Sequence, residues 1–190
     1  MKIALIGSGK VATQLGRALK AAGEDIIQVW SRSMEHASAL ATELQIPGVS
    51  LYSEITPDAD LYIISVNDDA IHSVASQLPV RDKLIVHTSG TTGMDVLENY
   101  SVHIGVLYPL QTFTKSKAVD FSQVPLAIEG NDPAVLEVLK TLSAKISQKV
   151  VFMDSVQRRA LHVAAVFACN FTNHLYALAS GILQKNELDF

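Results

Sequence analysis

With 190 residues, 48% of them hydrophobic, the chain has apolar mass for one full α/β domain and little more. Its 15 basic and 19 acidic residues give a formal net charge of -4 with no basic run, which argues against nucleic acid or an anionic membrane as partner. Cys169 is the only cysteine, so an intramolecular disulfide and a cysteine metal cluster are excluded, and its place among apolar residues predicts a core thiol.

The chain opens on the apolar run Met1-Lys2-Ile3-Ala4-Leu5-Ile6, read as a buried parallel strand, and Val11 to Ala22 reads as the helix that follows. Between them stands Gly7-Ser8-Gly9-Lys10-Val11-Ala12. A strand, a G-x-G-x-x-A turn and a helix form the dinucleotide-binding fingerprint. Gly7 permits the tight turn, Gly9 lets the backbone approach a pyrophosphate, and Ala12 is small enough for the helix to pack on the strand. Ser8, Lys10 and Val11 complete a loop whose free N–H groups and helix dipole favour an anion. Direct entry into a strand leaves no signal peptide, and no apolar stretch reaches the ~18 residues of a membrane span; a cytoplasmic protein is expected.

Ile26 to Trp30 reads as the second strand and Met34 to Leu44 as a helix. In a doubly wound fold the carboxyl end of the second strand meets the adenosine ribose, where an NAD site places an acid. Asp25 stands at roughly the right distance after Gly7 but at the start of that strand, the wrong edge of the sheet. The correct end carries Ser31-Arg32-Ser33, two hydroxyls flanking a guanidinium, which suits a 2′-phosphate. The same cluster begins a helix, and an N-cap serine is compatible with an anion site because both use the same N–H groups. NADP is therefore expected over NAD, and the missing acid also weighs against S-adenosylmethionine.

Val49 to Tyr52 predicts a short third strand, Leu61 to Val66 a fourth, and about Asp69 to Leu78 a helix. Ser65, Val66 and Asn67 leave the fourth strand where backbone and side chain can meet the cofactor ribose, while Asp68 or Asp69 is expected to cap the helix. Lys83 to His87 is the fifth strand, and its exit, His87-Thr88-Ser89-Gly90-Thr91-Thr92-Gly93, offers hydroxyls and glycines to the nicotinamide half. A hydrolase triad is not read there, because the strained G-x-S-x-G elbow is missing. Val102 to Leu107 is the sixth strand, followed by Tyr108-Pro109-Leu110-Gln111-Thr112-Phe113, either a pocket wall or a surface loop. This alternation predicts a mostly parallel sheet with helices on both faces.

After Pro109 the residues Thr112, Thr114, Lys115, Ser116 and Lys117 read as a loop. Val124 to Ile128 and Lys149 to Phe152 are strand candidates flanking a helix from about Pro133 to Ile146. Ser155 to about Lys185 has helical periodicity and is long for a helix covering a sheet. A boundary near residue 152 then separates a Rossmann domain, 1–152, from the start of a helical domain, 153–190. The chain stops at Leu188-Asp189-Phe190 with little left to pack on that helix, which suggests truncation or completion by another subunit. At ~100° per residue, His162, Asn173, Asn170 and His174 fall at about 0°, 20°, 80° and 120°, one polar arc on an apolar helix. Such an arc needs partners, water or a ligand. Its histidines lie about three turns apart, unlike a metal pair at i, i+4, so no metal site is expected.

The segments Ala4 to Ala12, Trp30 to Ser33, Ser65 to Ile71, His87 to Gly90 and Tyr108 to Phe113 resemble the Rossmann-like proteins of domain of unknown function 2520. Those are described as candidate NADP oxidoreductases, similar to deazaflavin-dependent NADP reductase and to pyrroline-5-carboxylate reductase. The resemblance implies an NADP cofactor and a helical C-terminal domain that begins around His162 to His174, shorter here than in the family. Many relatives have His before Pro in the sixth-strand motif; Tyr108 stands there in this chain. The related β-hydroxyacid dehydrogenases use a Lys and an Asn four apart on the corresponding helix, and here Val166 lies four before Asn170.

The resulting expectation is a Rossmann-type α/β protein that transfers a hydride between NADP(H) and a small carbonyl or imine substrate. The alternatives are a non-catalytic dinucleotide-binding regulator or scaffold, and a methyltransferase. The proton donor must come from the cleft between the sheet's carboxyl edge and the long helix, where Tyr108 and His162 are the titratable candidates and Asn170 is a neutral donor that orients substrate. His162 is preferred, since an imidazole ordinarily titrates near neutral pH and a phenol does not. The apolar residues of the long helix, among them Val156, Phe167, Phe171 and Leu175, predict a homodimer.

Overall fold

The computed structural model describes residues 1–115 and 119–188; Ser116 and Lys117 of the expected loop, and the terminal Asp189 and Phe190, lie outside them. In chain order the elements are β1 (Lys2–Ile6), α1 (Lys10–Ala21), β2 (Asp25–Trp30), α2 (Met34–Leu44), β3 (Gly48–Val49), β4 (Leu61–Ile64), α3 (Ile71–Ser76), β5 (Leu84–His87), β6 (His103–Pro109), β7 (Leu126–Gly130), α4 (Pro133–Ala144), β8 (Val150–Phe152), α5 (Ser155–Ala165) and α6 (Thr172–Lys185). All eight strands join one sheet in the order β3-β2-β1-β4-β5-β6-β7-β8. Every pairing is parallel except that of β6 with β7, whose connection contains no crossover α-helix among the described residues. The fold is Rossmann-like and continues into C-terminal helices.

The central strands are apolar throughout because both faces of the sheet are covered. Ile3, Leu5, Leu61 and Ile63 face one layer with Leu15, Leu19, Leu40 and Leu139. Their neighbours Ala4, Ile6, Tyr62 and Ile64 face the other, with Ile71, Val74 and Trp30. Local chemistry sets the helix starts. Asp132 accepts from the N–H groups of Ala134 and Val135 with Pro133 in the first turn. Asp154 and Gln157 cap α5 reciprocally, at 2.7 and 3.1 Å.

Three expectations change. The third strand is only Gly48–Val49, because Tyr52–Glu54 closes a 3-10 turn in which Glu54 accepts from the Leu51 N–H at 3.2 Å. The helix expected from Asp69 starts as a 3-10 turn, Asp68–Ala70, and becomes α-helical at Ile71. Cys169 is exposed and no core thiol: it lies in a π-helical stretch, Val166–Phe171, that joins α5 to α6, and no residue from Val166 to Lys185 is buried. The last helix thus extends beyond the sheet with little to pack against.

Candidate functional site

In this strand order the chain reverses direction of build between β1 and β4, and a crevice opens at their carboxyl ends. Backbone bonds fix its floor: Gly7 N–H donates to Trp30 O at 2.8 Å, Ser65 N–H to Ile6 O at 2.8 Å, and Thr88 N–H to Ile64 O at 3.1 Å. Gly7 has φ +128°, and a Cβ there would meet Ser65 O at 2.3 Å, so the turn itself demands glycine. Gly9 differs. Its φ is -72°, and a Cβ would meet only Ser65 O, at 3.9 Å. The fold has room for a side chain at Gly9, and the open space sits at the uncapped N-terminus of α1, which fits a pyrophosphate.

The crevice is a cleft of about 840 Å³. Toward β2 and β3 it is lined by Lys10, Trp30, Ser31, Arg32 and Tyr52; in the middle by Gly7 to Gly9, Val11 and Ser65 to Asp68; and toward β5 and β6 by Thr88, Ser89, Gly90, Tyr108, Gln111 and His162. Ser8 Oγ donates to Ser31 Oγ at 2.8 Å, and Thr88 Oγ1 to Ser65 Oγ at 3.2 Å, tying neighbouring strand exits together. Asp25 lies at the opposite end of β2 from Arg32, so no carboxylate from β2 reaches this edge.

At the far end the Tyr108 hydroxyl and His162 Nδ1 are hydrogen-bonded at 2.9 Å, with ring planes 65° apart. Gly90 makes the meeting possible, since a Cβ there would lie 2.6 Å from His162 Nδ1 and 2.9 Å from Tyr108 Cζ. Burial pushes the Tyr108 phenol up, against a smaller opposing effect of Arg158, so it is a neutral O–H donor at pH 7.

Several anticipated residues stand elsewhere. Ala12, on the buried face of α1, packs the helix on the sheet as its small side chain implied, and so does not line the cleft. Ser33 is the N-cap of α2, accepting from the His36 N–H at 3.4 Å. His87 does not line the cleft: its fully buried ring accepts from Ser89 N–H at Nδ1 (3.2 Å) and donates from Nε2 to Gly93 O (3.2 Å). Burial, and then the charge of Arg158, pushes it down to about 4. Neither Asp68 nor Asp69 caps a helix; Asp68 instead accepts from the Thr91 hydroxyl. Asn170 is exposed and outside the cleft, as are Asn173 and His174. The π-helical stretch breaks the 100° spacing on which the arc was drawn.

Sequence reasoning missed Arg158, which is 1% exposed. Its guanidinium pairs with Glu129 on β7 and donates to Ser89 O (3.2 Å), Thr92 O (2.6 Å) and Ser155 Oγ (3.2 Å). One helical turn before His162, it anchors α5 to the loop that carries Gly90. Glu129 in an otherwise apolar strand was the available signal. Among the described residues no group of three or more His, Cys, Asp or Glu is placed to hold a metal ion, and no helix is long and apolar enough to cross a membrane.

Comparison with known proteins agrees with this layout. Residues 2–90 match the family "NADP oxidoreductase coenzyme F420-dependent", and residues 124–190 match "Domain of unknown function (DUF2520)". A candidate NADP oxidoreductase from Bacteroides fragilis is similar at 41% identity and TM-score 0.90, over 99% of this chain and 74% of that one. A Thermotoga maritima protein is similar at 26% identity and TM-score 0.77, over 99% and 71%. A 1-pyrroline-5-carboxylate reductase from Streptococcus pyogenes shares the fold, at 16% identity and TM-score 0.72 over 98% and 70%. No curated protein matches the chain.

Proposed function

This chain belongs to the DUF2520 family and carries an N-terminal domain of the NADP oxidoreductase type, and from that premise we propose that it is an NADP-dependent oxidoreductase acting on a small carbonyl or imine compound. The observation that carries the reading is a single cleft with the open glycine turn and Arg32 toward one end and the Tyr108–His162 pair at the other. When bound, the reduced nicotinamide supplies the hydride that adds to the carbonyl or imine carbon and is itself oxidised.

The chain's own part is to bind, orient and protonate. Gly9 leaves space for the pyrophosphate, the N-terminus of α1 offers its N–H groups, and Arg32 pairs with the 2′-phosphate. Ser65 to Asn67, with Thr88 and Ser89, hold the ribose and nicotinamide end. The substrate oxygen or nitrogen, left with the electron pair, takes the phenolic proton of Tyr108. His162, bonded to the same hydroxyl through Nδ1, relays a proton back to it, so the phenol is neutral before and after. Asn170, exposed and off the cleft, takes no part in this scheme. Residues 1–152 serve as the dinucleotide-binding unit, and 153–190 supply His162 and a surface for a second copy of the chain, in a cytoplasmic homodimer.

Calorimetric titration tests the cofactor half. NADPH is expected to bind roughly 10- to 150-fold tighter than NADH, the contribution of a charged hydrogen-bonded pair, and Arg32→Ala narrows the difference. Equal affinities in the wild type overturn the NADP assignment. NADPH oxidation against a panel of ketones, imines and keto acids tests the rest; tight binding with no turnover favours the non-catalytic dinucleotide-binding alternative.

A further inference from the structure

We propose that the Tyr52 phenol is a second recognition group for the 2′-phosphate, beside Arg32; the inference rests on reading the cleft as an NADP site. Tyr52 is far from the glycine turn in sequence, and the sheet brings it there. Ser31 N–H donates to Val49 O at 3.1 Å, which ties the exit of β3 to the exit of β2. The 3-10 turn that follows then lays the Tyr52 ring on Trp30, with centroids 4.6 Å apart and planes 24° from parallel. Stacking holds the ring in place before any ligand arrives.

Its polar end is uncommitted. The phenols of Tyr62, Tyr100 and Tyr108 are bonded to Thr56 O, His72 and His162 respectively. Among the described residues the Tyr52 hydroxyl has no such partner, yet it lines the cleft with Ser31 and Arg32. Arg32 is near enough for its charge to oppose the upward push of burial on this phenol. A phosphate monoester beside the guanidinium has acceptor oxygens to spare, and a neutral phenol donates to one of them. The 2′-hydroxyl of NADH carries no such charge, so the contact discriminates between the two cofactors.

The test is titration of the whole chain with NADPH and NADH, wild type against Tyr52→Phe, which keeps the ring and removes one oxygen. NADPH affinity is expected to fall about tenfold and NADH affinity to stay unchanged. Adenosine 2′-phosphate, used as a competitor, should lose affinity with NADPH, and adenosine 5′-phosphate should not. Equal losses for both cofactors overturn the proposal, because Tyr52 then serves the adenine they share; no loss for either overturns it too. A wild type without preference for NADPH overturns the NADP reading itself, whereas a preference left undiminished by Arg32→Ala removes Arg32, and not the cofactor, from the reading. A preference abolished by Arg32→Ala and untouched by Tyr52→Phe overturns the Tyr52 proposal alone.

Discussion

Two glycines two residues apart have opposite reasons to be glycine, and the difference separates folding from binding. Gly7 is held at positive φ with Ser65 O where a Cβ would be, so any substitution there strains the fold. Gly9 has ordinary backbone angles and open space. Gly9→Val is therefore expected to melt near the wild-type temperature and to lose NADPH binding, which Trp30 fluorescence can follow, since the chain's one tryptophan lines the cleft. A folded Gly9→Val protein that still binds NADPH would make the glycine turn purely structural. Tyr108 and His162 are one hydrogen-bonded unit, so Tyr108→Phe and His162→Ala should each slow turnover by ~10²–10⁴ at unchanged NADPH affinity; if neither slows it, water is the donor. His87 tests burial instead. Its folded value of about 4 lies below the ordinary ~6.5 of an unfolded chain, so between those limits the unfolded state binds more protons. Stability from this group is complete above ~pH 6.5 and lost as pH falls toward 4, by up to about 3 kcal/mol. Denaturant melts at pH 7.5 and 5 should show the slope, and His87→Gln should flatten it.

Among the elements, α5 has the most demanding attachment. It is held by a buried cation rather than by an apolar face: Arg158 alone among its residues is buried, and it reaches β7 through Glu129 and the β5 exit through two carbonyls. Removing one partner of a buried pair leaves the other desolvated and uncompensated. Arg158→Met is expected to cost about 3–5 kcal/mol in denaturant unfolding, and adding Glu129→Gln should return part of it. A loss below ~1 kcal/mol would mean that solvent already screens the pair. Little of this attachment was visible in the sequence, and the reason is physical. Parallel strands and helix caps are written in neighbouring residues, and β1, β2, β5, α2 and α4 were read almost as they stand. Arg158, Glu129 and Gly90 acquire meaning only from residues distant in the chain. The helical arc that included Asn170 failed because no residue from Val166 to Lys185 is buried against the sheet, and because its arithmetic assumed uniform α-geometry across a stretch that is π-helical.

At the scale of the whole molecule, the sheet fulfils its sequence pattern while the last helix does not. Both faces of the central strands are covered, as their unbroken apolar runs required. The strip from β8 onward is the exception. Phe152, Val156, Phe167, Phe171, Leu175, Leu178 and Ile182 are all at least half exposed, although such side chains are ordinarily buried. Phe167 and Phe171 touch each other, with centroids 5.0 Å apart, and the sheet offers them no cover. An apolar strip of this length is ordinarily an interface, and closed two-fold pairing is the commonest way to cover it. Light scattering behind a sizing column is expected to give a dimer at micromolar concentration. A Phe167→Glu, Leu175→Glu double variant places charges on the strip without touching the cleft, so it should be monomeric and bind NADPH as the wild type does. A wild-type monomer at high micromolar concentration overturns the pairing. A double variant that dimerises normally moves the interface off this helix, to the edge strand β8 with its exposed Val151 and Phe152.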